Sequence, residues 1–309
     1  MSLRFGALEI RRAFLALGVR RGALVFVSSD LRRPGLVRGV KSRDDLCAVY
    51  LETLLDILGP EGTVVVPTFT PYILRSDADF VWESSPSVTG IFAEHVRSRS
   101  GSLRSWHPLS SYCAIGRDRN LICGDGGLSN FGAGSPFSIM HDRDVLVLAI
   151  GLESGWAVGT PHLLETLHCL PYTYHKLLRN RTVMKGQPLP HQFRATVCYK
   201  HIAIEYDLRA WAGLVREAGH LRSTSLGNAW VHSAPYRISH EVASRQLLRN
   251  PYFMLSAPPK IEYGPVPFDP PSGVVAAEQN WEGIYLDRQR FVGWDAPPVE
   301  HDRREGPKE

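Results

Sequence analysis

Asp144-Val145-Leu146-Val147-Leu148-Ala149-Ile150 is apolar after its first residue and shows no alternation of apolar and polar positions. Such a run marks a strand covered on both faces, and it is the clearest strand in the chain. Two shorter runs of the same kind precede it, residues 24–27, closed by Ser28-Ser29-Asp30, and residues 63–66. Between these two, Ser42 with Asp45 three residues on reads as a capping box. Leu46, Val49, Tyr50, Thr53, Leu54, Ile57 and Leu58 follow as a helical stripe, stopped by Gly59-Pro60. Strand, helix and strand with short links predict an α/β fold around a layered, mainly parallel sheet. Upstream, Ile10, Phe14 and Leu17 have helical spacing. After Pro171 the pattern loosens. Residues 195–204 read as a strand, Leu208, Trp211 and Val215 as a helix, and Ser239 as the cap of a last helix through Leu248. The expected organisation is one domain over 1–255 and a proline-rich extension over 256–309. The polar tail from about residue 296 is expected to be mobile.

A chain of 309 residues is long enough to bury a large core, and 44% apolar with 21% charged residues is ordinary for a globular protein. The formal charge of +4 makes no electrostatic case for nucleic acid. The five cysteines, Cys47, Cys113, Cys123, Cys169 and Cys198, are odd in number and include no Cys-x-x-Cys pair. That pattern argues against a disulfide framework or a thiolate zinc site, and for a reducing compartment. Arg4, Glu9, Arg11 and Arg12 interrupt the N-terminal apolar residues, unlike a signal peptide, and no run approaches the ~18 apolar residues of a membrane span. The expectation is a cytoplasmic protein with no membrane or nucleic-acid partner. A homodimer is permitted but not required.

The chemistry-bearing residues cluster in a few places. In Gly159-Thr160-Pro161-His162-Leu163-Leu164-Glu165, Thr160 suits an N-cap and Pro161 the first helical position. His162 then falls in a first helical turn just beyond the strong strand, where open α/β sheets bind ligands. Glu165 lies on nearly the same helix face, so it can orient the imidazole and stabilise its protonated form. A capping histidine with a surface glutamate fits the spacing too, and from spacing alone is the commoner case. His168 extends the row, but steps of three rotate it ~120° from His162, which disfavours convergence on a metal. The zincin pattern is absent. Arg104-Ser105-Trp106-His107-Pro108-Leu109-Ser110-Ser111 can bind phosphates or form a solvated basic face. Gly132-Ala133-Gly134-Ser135 lacks the Lys-Ser/Thr of a P-loop, and Gly151–Gly155 lacks nucleophile-elbow spacing.

Taken in order, seven motifs resemble the aminoglycoside 3-N-acetyltransferase family over residues 8–240. They are Gly22 to Leu31, Gly59 to Thr70, Ser85-Pro86-Ser87-Val88-Thr89-Gly90, the 104–110 loop, Gly132 to Phe137, Val145 to Gly151 and Thr160 to Glu165. The resemblance implies a three-layer α/β/α sandwich, unrelated to the commoner acetyltransferase superfamily, and acetyl transfer from acetyl-CoA, with no metal, to an amine on an aminocyclitol or amino sugar. It implies that His162 is the general base and that Glu165 holds its tautomer. Ser28 and Ser29 are expected by the pantetheine arm or thioester. Arg104, Ser105, His107 and Ser110 are expected near the cofactor's phosphates or the reacting centre. Residues 170–205 are expected on the substrate side, with Tyr72, Tyr172, Tyr174 and Lys176 as substrate contacts. This chain has Val27 where the family often has histidine, and one residue fewer between Thr160 and His162.

Aminoglycosides are polycations and call for an acidic pocket. Residues 170–205 contain a single acidic residue, Glu205, among several basic ones. That balance favours an amino sugar, including a nucleotide-linked one, over an aminoglycoside. The alternatives are an aminoglycoside 3-N-acetyltransferase proper and a non-catalytic relative that binds sugar or CoA.

Overall fold

The computed structural model describes residues 4–75, 78–124, 127–199 and 204–260. The extension beyond residue 260, with its expected mobile tail, lies outside the described residues. In chain order the elements are α1 (Ala7–Ala16), β1 (Leu24–Ser29), α2 (Arg43–Leu58), β2 (Thr63–Pro67), β3 (Phe80–Val81), α3 (Ile91–Ser98), β4 (Leu103–Arg104) and β5 (Tyr112–Gly116). Next come α4 (Arg119–Cys123), α5 (Pro136–Asp142), β6 (Leu146–Ile150), α6 (Pro161–His168), β7 (Thr173–Leu177), β8 (Thr182–Met184), β9 (Gln187–Pro188) and β10 (Arg194–Cys198). The last are α7 (Arg209–Glu217), β11 (Arg222–Leu226), β12 (Ala229–Pro235) and α8 (Tyr236–Leu247).

The main sheet has seven strands in the order β11-β12-β6-β1-β2-β5-β4. The three apolar runs of the sequence are its centre, and they alone pair in parallel, β1 with β6 and with β2. Every flanking pair is antiparallel, so the sheet is mixed rather than mainly parallel. One physical reason is short connection. β11 and β12 form a hairpin across a two-residue turn, with Gly227 at φ 58° in its first central position, where a positive φ is needed.

The strands are buried on both faces, and successive side chains divide between two cores. Val25, Val27, Val64, Val66, Leu148 and Ile150 pack against α1, α2 and α3. Phe26, Val65 and Val147 pack on the other face against α4, α5, α6 and α8. There Ala149 and Ala234 meet Trp211 and Val215 of α7 in a neighbouring cluster. The result is the α/β/α sandwich expected. The α2 capping box is present, with Ser42 Oγ accepting from the Asp45 N–H at 3.0 Å.

Two local expectations are corrected. The strand expected over 195–204 is β10, which ends at Cys198, and residues 200–203 lie outside the described residues. Ser239 does not cap α8. Pro235 ends β12 and the helix starts directly at Tyr236, so Ser239 sits inside and its hydroxyl donates back to the Pro235 carbonyl at 2.6 Å. The 170–205 region pairs β7 with β10, and its β8 and β9 join β3 in a second small sheet.

Candidate active site

α6 starts as its sequence dictates. Thr160 is the N-cap, its hydroxyl accepting from the His162 N–H at 3.4 Å, and Pro161 is the first helical residue. The helix buries Leu163, Leu164 and Glu165 and leaves His162 with 39% of its side chain exposed. Glu165 is 2% exposed and holds His162 Nδ1 through Oε2 at 2.7 Å. With Nδ1–H donating to the carboxylate, the lone pair of His162 falls on Nε2. The ring packs against Phe131 at 5.5 Å between centroids and edge-on to Tyr206 at 5.8 Å. Burial, the largest single influence, lowers the His162 pKa; the charge and the hydrogen bond of Glu165 together outweigh it, and the net shift is upward.

The other oxygen of that carboxylate, Oε1, accepts from the Tyr206 hydroxyl at 2.5 Å, and Cys198 Sγ lies 3.2 Å from the same hydroxyl. Sequence reading missed Tyr206. It stands 41 residues from Glu165, and no local pattern links the two.

His162 lines a cleft of about 850 Å³ at the carboxyl ends of β1, β2 and β6. Ser28 and Ser29 enter it because β1 ends there, held in register beside Ala149 and Ile150 of β6. Its walls include Phe26, Phe69, Ile91 and Phe137, and it also carries Arg32 and Arg43. Asp30, beside them, is paired with Arg32 at 2.9 Å, and that hydrogen bond lowers its pKa. An apolar cleft with cations and a buttressed imidazole can hold an anionic ligand with an apolar arm and accept a proton at His162 Nε2.

The structure does not bring Arg104, Ser105, His107 and Ser110 into this cleft. All four are buried, and their polar groups hold loops together. The Arg104 guanidinium donates to the carbonyls of Ser85 at 2.5 Å and Thr68 at 2.9 Å and to Ser111 Oγ at 3.0 Å, and it lies over the Phe80 ring. Burial, with Arg97 nearby, lowers its pKa to about 10, so it stays charged at neutral pH. Ser105 Oγ accepts from the Tyr112 N–H. His107 Nδ1 accepts from the N–H groups of Leu109 and Ser110, so Nε2–H donates to the Arg194 carbonyl at 2.9 Å. Burial pushes the His107 pKa down to about 4, against the pull of that carbonyl.

The expected substrate contacts also lie elsewhere. Tyr172 is fully buried, and burial and the Glu165 charge raise its pKa. Lys176 is 1% exposed, Tyr174 stacks on Tyr199 at 4.8 Å, and Tyr72 donates to the Pro86 carbonyl. None of the four lines the cleft. Among the described residues no group of three or more metal-ligating side chains gathers, and no helix is long and apolar enough to cross a membrane.

An α/β/α fold with a glutamate-buttressed histidine lining an apolar, arginine-bearing cleft defines the class, an N-acetyltransferase that uses acetyl-CoA as cosubstrate. The model of the family described as aminoglycoside 3-N-acetyltransferase matches residues 26–247, and the chain belongs to that family. It is 25% identical over 229 residues to the SPbeta prophage-derived aminoglycoside N(3')-acetyltransferase-like protein YokD of Bacillus subtilis (strain 168), covering 66% of this chain and 78% of that one. It is 28% identical over 166 residues to aminoglycoside N(3)-acetyltransferase IV of Salmonella sp, covering 53% and 60%. The apoenzyme of aminoglycoside acetyltransferase AAC(3)-IVa shares the fold with a TM-score of 0.65 at 23% identity, covering 84% of this chain and 94% of that one. AAC-IIIb, solved as a binary complex with CoASH, gives 0.64 at 20% identity, covering 83% and 100%.

Proposed function

We propose that the chain transfers the acetyl group of acetyl-CoA to an amine on an amino sugar, with His162 as the general base. The observation that carries this is the His162–Glu165 pair, with His162 lining the cleft. The pantetheine arm occupies the apolar slot, Ser28 and Ser29 flank the thioester end, and Arg32 and Arg43 meet the phosphates. His162 Nε2 takes a proton from the substrate nitrogen as that nitrogen attacks the thioester carbonyl carbon. The tetrahedral intermediate collapses with cleavage of the C–S bond. The imidazolium returns its proton to the leaving sulfur, giving N-acetyl product and free CoA thiol.

An aminoglycoside substrate is the second reading, and the family match favours it. A nucleotide-linked sugar rests on the excess of basic over acidic residues in 170–205 and on expected substrate contacts there. With Tyr172 and Lys176 buried, those two residues no longer support it. Free-thiol release from acetyl-CoA, measured against aminoglycosides and amino sugars in parallel, tests the proposal. Thiol release with at least one amine is expected, and the amine that triggers it names the class. His162→Ala is expected to lower turnover roughly 10²–10⁴-fold while CoA binding survives. Full activity in that variant removes His162 from the mechanism.

A further inference from the structure

We infer that Tyr206 is a positioning residue of this site, bracing Glu165 so that the carboxylate presents Oε2 to His162. This rests on the function proposed above. Glu165 is 2% exposed, so water cannot replace a lost partner, and a buried carboxylate oxygen without a donor is costly. Held at Nδ1 of His162 alone, the carboxylate can turn about its terminal bond. The second hydrogen bond, 2.5 Å from the Tyr206 hydroxyl to Oε1, fixes its plane. Because that hydroxyl proton goes to Glu165, the thiol of Cys198, 3.2 Å away, donates to the phenolic oxygen. Cys198 thus donates to Tyr206 and Tyr206 to Glu165, while His162 donates to Glu165 from the other side.

The brace is itself pinned from outside the α6 region. Residues 205–207 pair with 254–256. The Asp207 N–H donates to the Met254 carbonyl at 3.0 Å and the Ser256 N–H to the Glu205 carbonyl at 2.9 Å, with Tyr206 opposite Leu255. That pinning segment lies beyond residues 26–247, the span of the family match. The edge of the His162 ring is thus set by two elements that the sequence keeps far apart, α6 and the strand-like 205–207 segment.

Tyr206→Phe keeps the ring and removes only the hydroxyl. It is expected to lower kcat about tenfold with KM for acetyl-CoA unchanged. The groups facing the pair are Glu165 on α6, Tyr206, Cys198 on β10 and Tyr172 behind it, with Asp30, Arg32 and Arg43 across the cleft. The variant loses the hydroxyl's contacts with Glu165 and Cys198, and of those two groups only Glu165 is bonded to His162. The His162 midpoint, read by NMR titration of the imidazole in the free protein, is therefore expected to fall as the carboxylate turns away. In a Glu165→Gln background the same substitution is expected to cost little more, since its effect passes through Glu165.

A folded Tyr206→Phe protein with wild-type kcat and an unmoved or raised His162 midpoint overturns the inference. An equal loss in the Glu165→Gln background overturns it as well. If the wild type releases no thiol with any amine, the proposed function fails, while the imidazole titration still decides the brace.

Discussion

The imidazole of His162 is pulled in two directions, and the sum sets its working range. Burial alone pushes its pKa below the usual histidine value, while the Glu165 charge and hydrogen bond push it above. A general base acts as the neutral form, so the rate should rise with pH through a midpoint above that usual value. Glu165→Gln removes the charge, leaves at most a weaker neutral hydrogen bond and keeps burial, so the midpoint of kcat/KM against pH should move down. The rate at neutral pH should fall less than in His162→Ala. A pH profile that does not shift, or shifts upward, denies Glu165 its role.

At the scale of the element, the turn into α6 decides where the imidazole stands. Gly159 has φ 113°, a conformation that L side chains rarely adopt. A Cβ there would lie 2.6 Å from the Tyr236 ring and 2.8 Å from His240 Nε2. Gly159→Ala should therefore shift the start of α6 and lower both stability and kcat. Thr160→Ala removes only the cap, at about 1 kcal/mol. Urea unfolding of the two variants should show the alanine at 159 to be the more damaging. The cap was legible in Thr160-Pro161 because capping acts over two or three residues. The need for glycine was not, because the atoms that forbid a side chain belong to α8, more than 75 residues away.

The whole molecule carries an acid sensitivity distributed over its core. His107 is 2% exposed and His240 1% exposed, and burial lowers their pKa values to about 4 and about 3. Both are neutral in the fold, while in the unfolded chain they protonate near the usual value of about 6.5. The unfolded state thus binds more protons as pH falls below that value, and stability declines from there toward the folded pKa values. Each histidine contributes up to about 1.4 kcal/mol per pH unit in that window. The raised pKa of His162 acts in the opposite sense, but its side chain is partly exposed, so its share is smaller. Thermal melts should show a fall in Tm between pH 7 and pH 5. His240→Phe, which fills similar volume without a titrating group, should flatten the fall. A Tm that is constant over that range removes the two histidines from the account.

Sequence alone determined the centre of the sheet, the helices α1, α2 and α7, and the placement of His162 and Glu165 on nearly one face of a helix. Each depends on contacts within a few residues or on unbroken apolar runs, and those are written locally. It also carried the family resemblance, through motifs whose order survives substitution within each. The tertiary structure alone decided the roles of the 104–111 loop and of Tyr206. Arginine, serine and histidine in one loop read as a ligand site, yet Arg104 and His107 satisfy backbone carbonyls of Thr68, Ser85 and Arg194, 19 to 87 residues distant, and Ser105 accepts from the Tyr112 N–H. Tyr172 and Lys176 read as a surface for substrate but are buried, Tyr172 near Glu165 and Lys176 within β7. A polar side chain announces that it needs a partner; whether that partner is ligand or backbone is fixed only when the topology brings distant segments together.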